Sequence, residues 1–464
     1  MQNFWDSNVW GFVNLVTVLL LSLLVANALK KAIKWLKYSL IPTSVLGGVI
    51  LLIVSGVFEW ASGGKALFDT NFFGGNGMAM FEIITYHALA LGFIASTFKA
   101  SKAVKSKNRA VEIFNTGVNT VSTYLLQAVV GFGITIIASF IMKDFFSSAG
   151  LLLPFGYGQG TGQAMNYGGI YENEFGFSGG KTFGLTVAAL GFLSASIGGV
   201  IHLNLLKKHK KIEVIPEDKR VISSEEIEGE NEIAMNGSID KVTIQIALVF
   251  AAYFLTFGLM FLLGELVSGM KSVIYGFNFL IGVLSATLFK TVINLLKRKN
   301  VIKKDYVNNF LMTRISNFFF DLMVVAGIAA IRLSILEKYW GIIIILGVVG
   351  LVITYLYNLL TARILFKDYS EEQFLTMFGM LTGTASTGVI LLREIDPDFK
   401  TPASDNLVYQ NFPAIVFGFP IMLLATLAPR KPYLTWLLLL GFMLIMNIIL
   451  FRKFIFKRRK SKSK

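Results

Sequence analysis

The sequence predicts an all-α polytopic membrane protein, organised as two inverted five-helix repeats with one extra helix at the C-terminus. Hydrophobic residues make up 54% of the 464 residues and charged residues only 15%, whereas a soluble domain carries about a quarter charged residues. Apolar runs of about 20 residues, the length of a membrane-spanning helix, recur along the whole chain. A segment rich in glycine and threonine interrupts this pattern once in each half, near 149–170 and near 372–392.

The apolar runs give the expected positions of the membrane spans. In the first half they lie at 9–29, 42–58, 78–98, 112–142 and 182–206. In the second half they lie at 241–264, 274–295, 307–333, 341–366 and 406–428, with the extra helix near 433–451. The first run follows Asp6 and is long enough to span, and no small-residue cleavage site comes after it, so we expect a membrane span rather than a cleavable signal.

The order of these runs divides the chain into four predicted segments. They are a first repeat at 1–206, a polar linker at 207–240, a second repeat at 241–429, and an extra helix with a basic tail at 430–464. The linker is too short and too polar to form a domain, so we expect it to be flexible and cytoplasmic.

Basic residues predict the orientation of the spans. Lysines and arginines cluster directly after the first, third, fifth and seventh runs. Because basic loops stay in the cytoplasm, we expect an external N-terminus, a cytoplasmic C-terminus, and glycine-rich segments that re-enter without crossing. Each half then crosses five times, an odd number, so the halves have opposite orientations. The same clustering assigns the net charge of +15 to the surface of a lipid bilayer and not to a nucleic-acid partner.

The two interruptions are predicted to be discontinuous hairpins around a polar site. Glycine runs form helices poorly, and bare backbone in hydrocarbon costs several kcal/mol per unpaired group. Close packing of small residues is the alternative for either copy, but breaks at matching places in two halves are typical of secondary transporters. The residues expected to bind substrate here are Gln159, Gly160, Thr161, Gly162, Gln163, Gly383, Thr384, Ser386 and Thr387.

Charged and polar residues inside later runs extend this site. Asp321 lies near the middle of the eighth run, where an aspartate costs about 3 kcal/mol on insertion scales. It could ligate a cation, carry a proton, or form a structural ion pair with Arg314, two helical turns earlier on the same face. The expected cation-binding residues are Asp321, Asn317, Thr161 and Thr384, and Arg314 and Asn411 complete the expected substrate-binding set.

Several other kinds of site are excluded by composition and spacing. The chain has no cysteine, which excludes thiolate chemistry and cysteine metal sites. The three histidines, His87, His202 and His209, lack zinc-binding spacing and are expected in packing or interfacial positions. The run at 179–182 resembles the end of a phosphate-binding loop but lacks the earlier glycine. We therefore expect no enzymatic activity and no organic cofactor.

At its two hairpin motifs the chain resembles the bacterial sodium:glutamate symporter family. The stretch Gly158–Gly162 is similar to the Gly-His-Gly-Thr-Gly hairpin of that family. A second similarity consists of Gly379, Gly383 and the following Thr387. Further similarities are Pro42 with Gly47 and Gly48 at the start of the second helix, and Asn317, where the family also has asparagine.

The resemblance implies sodium-driven uptake of glutamate or a related carboxylate, with Na⁺ as the coupling ion. It also implies a homodimer in the bacterial plasma (inner) membrane, in which a transport domain slides against a scaffold in an elevator-like mechanism. The chain departs from the family pattern at Gln159, Gln163 and Ser386, where the family has histidine, alanine and proline. These departures fall on the hairpins that would hold the substrate.

Two other functions stay open at this point. A proton gradient could drive the same scaffold with another small solute as cargo, and Asp321 would then be the proton carrier. An ion channel is the alternative from a different class. Broken helices that occur once per half of one chain, and not as a symmetric ring of filter loops, favour a transporter.

Overall fold

The computed structural model describes residues 3–99, 107–208, 232–233, 238–337, 339–396 and 399–455. Within these ranges the secondary structure is helical, apart from one isolated β-bridge between Glu232 and Asp305. The predicted all-α class is therefore confirmed. Most of the predicted linker at 207–240, which includes His209, and the end of the basic tail lie outside the described residues.

The described part of the first half of the chain contains eight α-helices. They are α1 (Ser7–Ala32), α2 (Lys34–Tyr38), α3 (Thr43–Ala61), α4 (Gly77–Phe98), α5 (Lys107–Ile141), α6 (Leu152–Gln159), α7 (Thr161–Phe175) and α8 (Gly180–Lys208).

The second half follows a similar order. Its helices are α9 (Lys241–Leu266), α10 (Lys271–Gly276), α11 (Asn278–Arg298), α12 (Asn309–Ala329), α13 (Trp340–Leu365), α14 (Ser370–Thr382), α15 (Ala385–Arg393), α16 (Ala403–Tyr409), α17 (Asn411–Leu427) and α18 (Pro432–Leu450).

The predicted membrane spans are helical. In the described part of the chain, ten helices are long and apolar enough to cross a membrane, and α16 with α17 forms a further candidate that is bent by 51°. These elements coincide with all eleven predicted apolar runs, which makes the chain a multi-pass membrane protein. Pro413 lies in the first turn of α17, where proline has no N–H to continue the hydrogen bonds of the preceding helix. This explains why the run at 406–428 forms two helices.

The chain divides into two compact units. The first unit comprises Met1–Leu24, Gly47–Lys102 and Pro216–Ala330, and the second comprises Val25–Leu46, Ala103–Ile215 and Ile331–Lys464. The first three spans of each half belong mainly to the first unit. The last two spans of each half, together with its glycine-rich segment, belong to the second unit. An internal repeat would produce this equal contribution, while the inverted orientation of the halves stays a prediction.

Close contact between α4 and α12 forms the core of the first unit. An added Cβ on Gly92 would lie 2.7 Å from the ring of Phe320, so only glycine allows this approach. The Ser316 hydroxyl donates to the Gly92 carbonyl at 2.9 Å. Around this contact, α9 and α11 add apolar side chains, including Val249 and Ala286.

A buried ion pair holds the end of the polar linker against the first unit. The Lys241 side chain is fully buried at the start of α9, and its Nζ lies 2.8 Å from Glu232 Oε2. The Asn308 amide also donates to this oxygen, at 2.6 Å. The described residues 232–233 are therefore attached to the helices that follow them.

Candidate functional site

A glycine breaks the first hairpin, which consists of α6 and α7. Gly160 has φ +82° and ψ −172°, a backbone conformation adopted almost only by glycine. The rings of Phe155 and Tyr167 stack with centroids 3.9 Å apart and planes within 9°. Since these rings come from opposite sides of the break, α7 runs back alongside α6.

Two kinds of residue shape the second hairpin, which consists of α14 and α15. Glycines allow the two helices to touch, because an added Cβ on Gly379 would lie 2.8 Å from the Cα of Gly388. Threonines occupy the break, where the Thr384 N–H donates to Thr387 Oγ1 at 3.4 Å and the two hydroxyl oxygens lie 3.3 Å apart. In this motif the glycines therefore provide the close packing, and the threonines provide the polar groups.

The breaks of both hairpins meet at α8. An added Cβ on Gly191 would lie 2.5 Å from the Thr382 carbonyl oxygen and 3.3 Å from the Cα of Tyr157. Thr382 ends the first helix of the second hairpin, and Tyr157 lies in the last turns of the first helix of the first hairpin. A bare backbone at Gly191 is therefore needed for both hairpins to reach the same place.

The same two ends are bound by one turn of α5. The Tyr124 hydroxyl donates to the Gly158 carbonyl at 3.0 Å, and Gln127 Nε2 donates to the Leu381 carbonyl at 2.9 Å. The last carbonyls of a helix have no partner within that helix. Tyr124 and Gln127 thus satisfy carbonyls that the two breaks expose.

Amide and hydroxyl side chains connect α5 to α13. Asn119 Nδ2 donates to Asn358 Oδ1 at 2.9 Å, and Gln127 Nε2 donates to Thr354 Oγ1 at 2.9 Å. Asn358 in turn donates to Thr123 Oγ1 at 3.4 Å. All five side chains are buried, so the centre of the second unit is polar although its helices are apolar in sequence.

A second row of polar contacts joins α5 to α14 and α16. Gln373 Nε2 donates to Thr116 Oγ1 at 3.4 Å, and Asn406 Nδ2 donates to Gln373 Oε1 at 3.0 Å. The Tyr369 hydroxyl donates to Glu112 Oε2 at 2.8 Å. Burial raises the pKa of Tyr369, which keeps its hydroxyl a neutral donor.

Some buried polar atoms of the second unit have no hydrogen-bond partner among the described residues. They include the acceptors Asn119 Oδ1 and Gln127 Oε1 on α5 and Asn406 Oδ1 on α16, the donor Gln163 Nε2 on the first hairpin, and the hydroxyls of Ser122, Ser148 and Thr435. Leaving such an atom unpaired costs about 1–3 kcal/mol. Unpaired oxygens favour a cation or another hydrogen-bond donor as ligand, and an unpaired N–H favours an anion.

The predicted hairpin residues all lie in the second unit. Gln159 ends α6 and is half-buried, and Thr161, Gly162 and Gln163 form the buried first turn of α7. In the second hairpin, Gly383 and Thr387 are buried, whereas Thr384 and Ser386 are half-buried. Asn411, which starts α17, is exposed and its Oδ1 accepts a hydrogen bond from Gln410 at 3.0 Å.

The other predicted residues belong to the first unit. Arg314, Asn317 and Asp321 are exposed side chains of α12. The Arg314 guanidinium lies over the ring of Phe310, 4.9 Å from its centroid. The roles of these three residues in substrate and cation binding stay predictions.

The histidines that the structure describes make local contacts. His87 Nδ1 lies 2.6 Å from the Tyr253 hydroxyl. His202 is buried, with Nδ1 2.7 Å from the Tyr355 hydroxyl and Nε2 2.8 Å from Glu371 Oε2. The second contact joins α8 to the first turn of the second hairpin, which spacing along the chain did not suggest.

Sequence reasoning also overlooked the polar residues of α5 and α13. Asn119, Thr123 and Gln127 recur every four residues, and Thr354 and Asn358 do the same. In an apolar run this spacing places polar groups on one helix face and indicates a buried polar contact. The signal was present, but it lies outside the glycine-rich motifs.

Comparison with known proteins identifies the family of the chain. No curated protein matches the chain. The family model for the sodium/glutamate symporters matches residues 11–395, from the first span through the second hairpin. The chain therefore belongs to the sodium/glutamate symporter family.

Proposed function

We propose that the chain is a sodium-coupled symporter of glutamate or a closely related carboxylate, and that the second unit holds the binding site. Family membership supports sodium-coupled transport. The site assignment rests on the meeting of both hairpin breaks at α5 and α8. Buried acceptor oxygens and a buried N–H donor that have no hydrogen-bond partner among the described residues lie in the same unit.

A substrate carboxylate would bind at the first turn of α7. The first N–H groups of a helix have no partner within it, and the helix dipole places about half a positive charge there. Gly160, the N-cap residue, contributes no side-chain cap. Gln163 Nε2 is an unpaired donor in the same turn, on a side chain that is 1% exposed. This combination suits a carboxylate oxygen.

The second hairpin would bind the other polar groups of the substrate. Thr384 and Thr387 present two hydroxyls 3.3 Å apart at the start of α15, with Ser386 between them. Hydroxyls donate and accept hydrogen bonds, so they can serve a second carboxylate or an ammonium group. A sodium ion bound nearby would offset the negative charge of glutamate before the loaded site crosses the membrane.

The second unit would move as the transport domain in an elevator-like cycle. It contains both hairpins, whereas the first unit contains neither. We further propose a homodimer in the bacterial plasma membrane with an external N-terminus and a cytoplasmic C-terminus, following the distribution of basic loops.

The test is uptake of labelled glutamate by liposomes that contain the purified chain. An inward sodium gradient should drive accumulation above the external concentration, and an equal potassium gradient should not. Uptake that follows a proton gradient without sodium would contradict the proposal. Sodium-driven uptake of another carboxylate, with glutamate excluded, would contradict the substrate assignment alone.

Gln163→Leu tests the carboxylate position. Loss of a hydrogen bond to a charged group costs about 1.5–3 kcal/mol, so the KM for glutamate should rise about tenfold or more. The matched control is Gln245→Leu, which replaces a buried glutamine in the first unit. An unchanged KM in Gln163→Leu would remove this residue from the site.

A further inference from the structure

We propose that the second unit contains a sodium site at the side-chain oxygen of Gln127, whose amide nitrogen is held by Thr354 Oγ1 and the Leu381 carbonyl. The proposal rests on the sodium-coupled function proposed above. It assigns the ion to a neutral amide oxygen of α5, and not to a carboxylate.

The hydrogen bonds of Gln127 leave its oxygen unpaired. Its Nε2 donates to Thr354 Oγ1 and to the Leu381 carbonyl, both at 2.9 Å, which uses both amide protons. Its Oε1 has no partner among the described residues, and the side chain is 0% exposed. An amide held this firmly through its nitrogen, with its oxygen unsatisfied, requires a donor or a cation at that oxygen.

The surroundings of Gln127 favour a cation. Leu381 lies in the last turn of α14, where the helix dipole places about half a negative charge. An amide oxygen is a ligand typical of hard cations. The groups that accept hydrogen bonds from the Gln127 amide are a hydroxyl and a carbonyl oxygen, neither of which carries a formal charge. Because affinity for cations rises with the number of charged ligands, this neutral site suits a weakly held monovalent ion.

The second unpaired oxygen on α5 belongs to a different position. Asn119 precedes Gln127 by eight residues, which corresponds to about 12 Å along a helix axis. One ion cannot contact both side-chain oxygens at that separation. The proposed site is therefore limited to the level of Thr354 and Leu381.

This position links the ion to the second hairpin. Leu381 lies two residues before Gly383, where the hairpin breaks. An ion at Gln127 Oε1 would polarise the amide and strengthen its Nε2 hydrogen bond to the Leu381 carbonyl. It would thereby hold the end of α14 against α5 and fix the threonines that follow. Sodium should then raise the affinity for the carboxylate substrate, and by linkage the substrate should raise the affinity for sodium to the same extent.

Thermal unfolding of the purified full chain without substrate tests the site independently of transport. Sodium chloride is titrated against choline chloride at constant ionic strength, and the half-saturating sodium concentration is read from the rise in Tm. In Gln127→Leu that concentration should rise about tenfold or more, because mutating even the residues that orient a metal's ligands lowers metal affinity by about 10- to 100-fold. Thr354→Val, which keeps the side-chain shape, should raise it in the same direction.

Gln245→Leu is the matched control for burial. Gln245 is also 0% exposed, and its nitrogen and oxygen are both bonded, to the Tyr306 carbonyl and the Asn308 N–H. This variant should lower the Tm without sodium and leave the half-saturating sodium concentration unchanged.

Unchanged sodium half-saturation in Gln127→Leu would overturn the site, and so would an equal rise in Gln245→Leu. If Gln127→Leu does not fold, Thr354→Val decides in the same way. Failure of the proposed function can be distinguished from failure of this site, because liposomes that contain the wild-type chain would then show no sodium-driven uptake of any carboxylate. Sodium-driven uptake with a normal sodium requirement in both variants would overturn only this site.

Discussion

Replacing Gly191 with alanine should reduce transport strongly while it lowers stability only slightly. The new methyl group would lie 2.5 Å from the Thr382 carbonyl oxygen and 3.1 Å from the Tyr157 ring, against ordinary contacts of 3.4–4 Å. Thr382 O is a backbone atom, so the second hairpin must shift by about an ångström to restore contact. Overpacking of this kind costs about 1–3 kcal/mol, and removing a helical glycine offsets up to about 1 kcal/mol of that. The Tm should therefore fall by only a few degrees.

The loss of uptake should be much larger than the loss of stability. A displacement of about 1 Å in a binding geometry can reduce a rate by about a hundredfold, so sodium-driven glutamate uptake by Gly191→Ala should fall at least tenfold. The matched control is Gly441→Ala, since Gly441 lies within α18 and an added Cβ meets nothing within 4 Å. The control should transport normally and have an equal or higher Tm. Wild-type uptake by Gly191→Ala would refute the meeting of the two hairpins at α8.

Two further substitutions test local features. Gly160→Ala forces alanine into φ +82° and ψ −172°, which should destabilise the chain by about 1–3 kcal/mol and abolish uptake. The control Gly176→Asn, at φ +72° and ψ +20°, should be tolerated because asparagine adopts that conformation. A normal Tm and normal uptake in Gly160→Ala would contradict the first expectation. Glu232→Leu removes the carboxylate that lies 2.8 Å from the buried Lys241 Nζ and should lower stability by about 3–5 kcal/mol in thermal unfolding. Adding Lys241→Met should recover most of that loss, and an equally unstable double variant would show that the ion pair is not the cause.

The spans and the breaks could be predicted from the sequence because both depend on local composition. Any helix that crosses a membrane needs about 20 apolar residues, which makes each span visible without knowledge of its neighbours. Gly160 and Gly383 could be identified in the same way, since glycine in an apolar run weakens the helix at that point. Gly191 could not, because a glycine within a helix has several explanations and only the contacts at Thr382 and Tyr157 select one.

The polar centre of the second unit depends on contacts between distant parts of the chain. Asn119 and Asn358 are 239 residues apart, and Gln127 and Thr354 are 227 residues apart. A single sequence shows that these residues are polar but not that they face each other. The hairpin residues and Asp321 lie in different units, and their common site stays a prediction.

The coupling of sodium to substrate can be measured directly as simultaneous fluxes in liposomes that contain the purified chain. Entry of radioactive sodium is followed with and without external glutamate, at zero membrane potential and with equal pH on both sides. External glutamate should accelerate sodium entry, and external sodium should accelerate glutamate entry, in a fixed ratio that Gln163→Leu leaves unchanged while it raises the glutamate requirement. Glutamate entry without any accompanying sodium flux would contradict sodium-coupled symport by this chain.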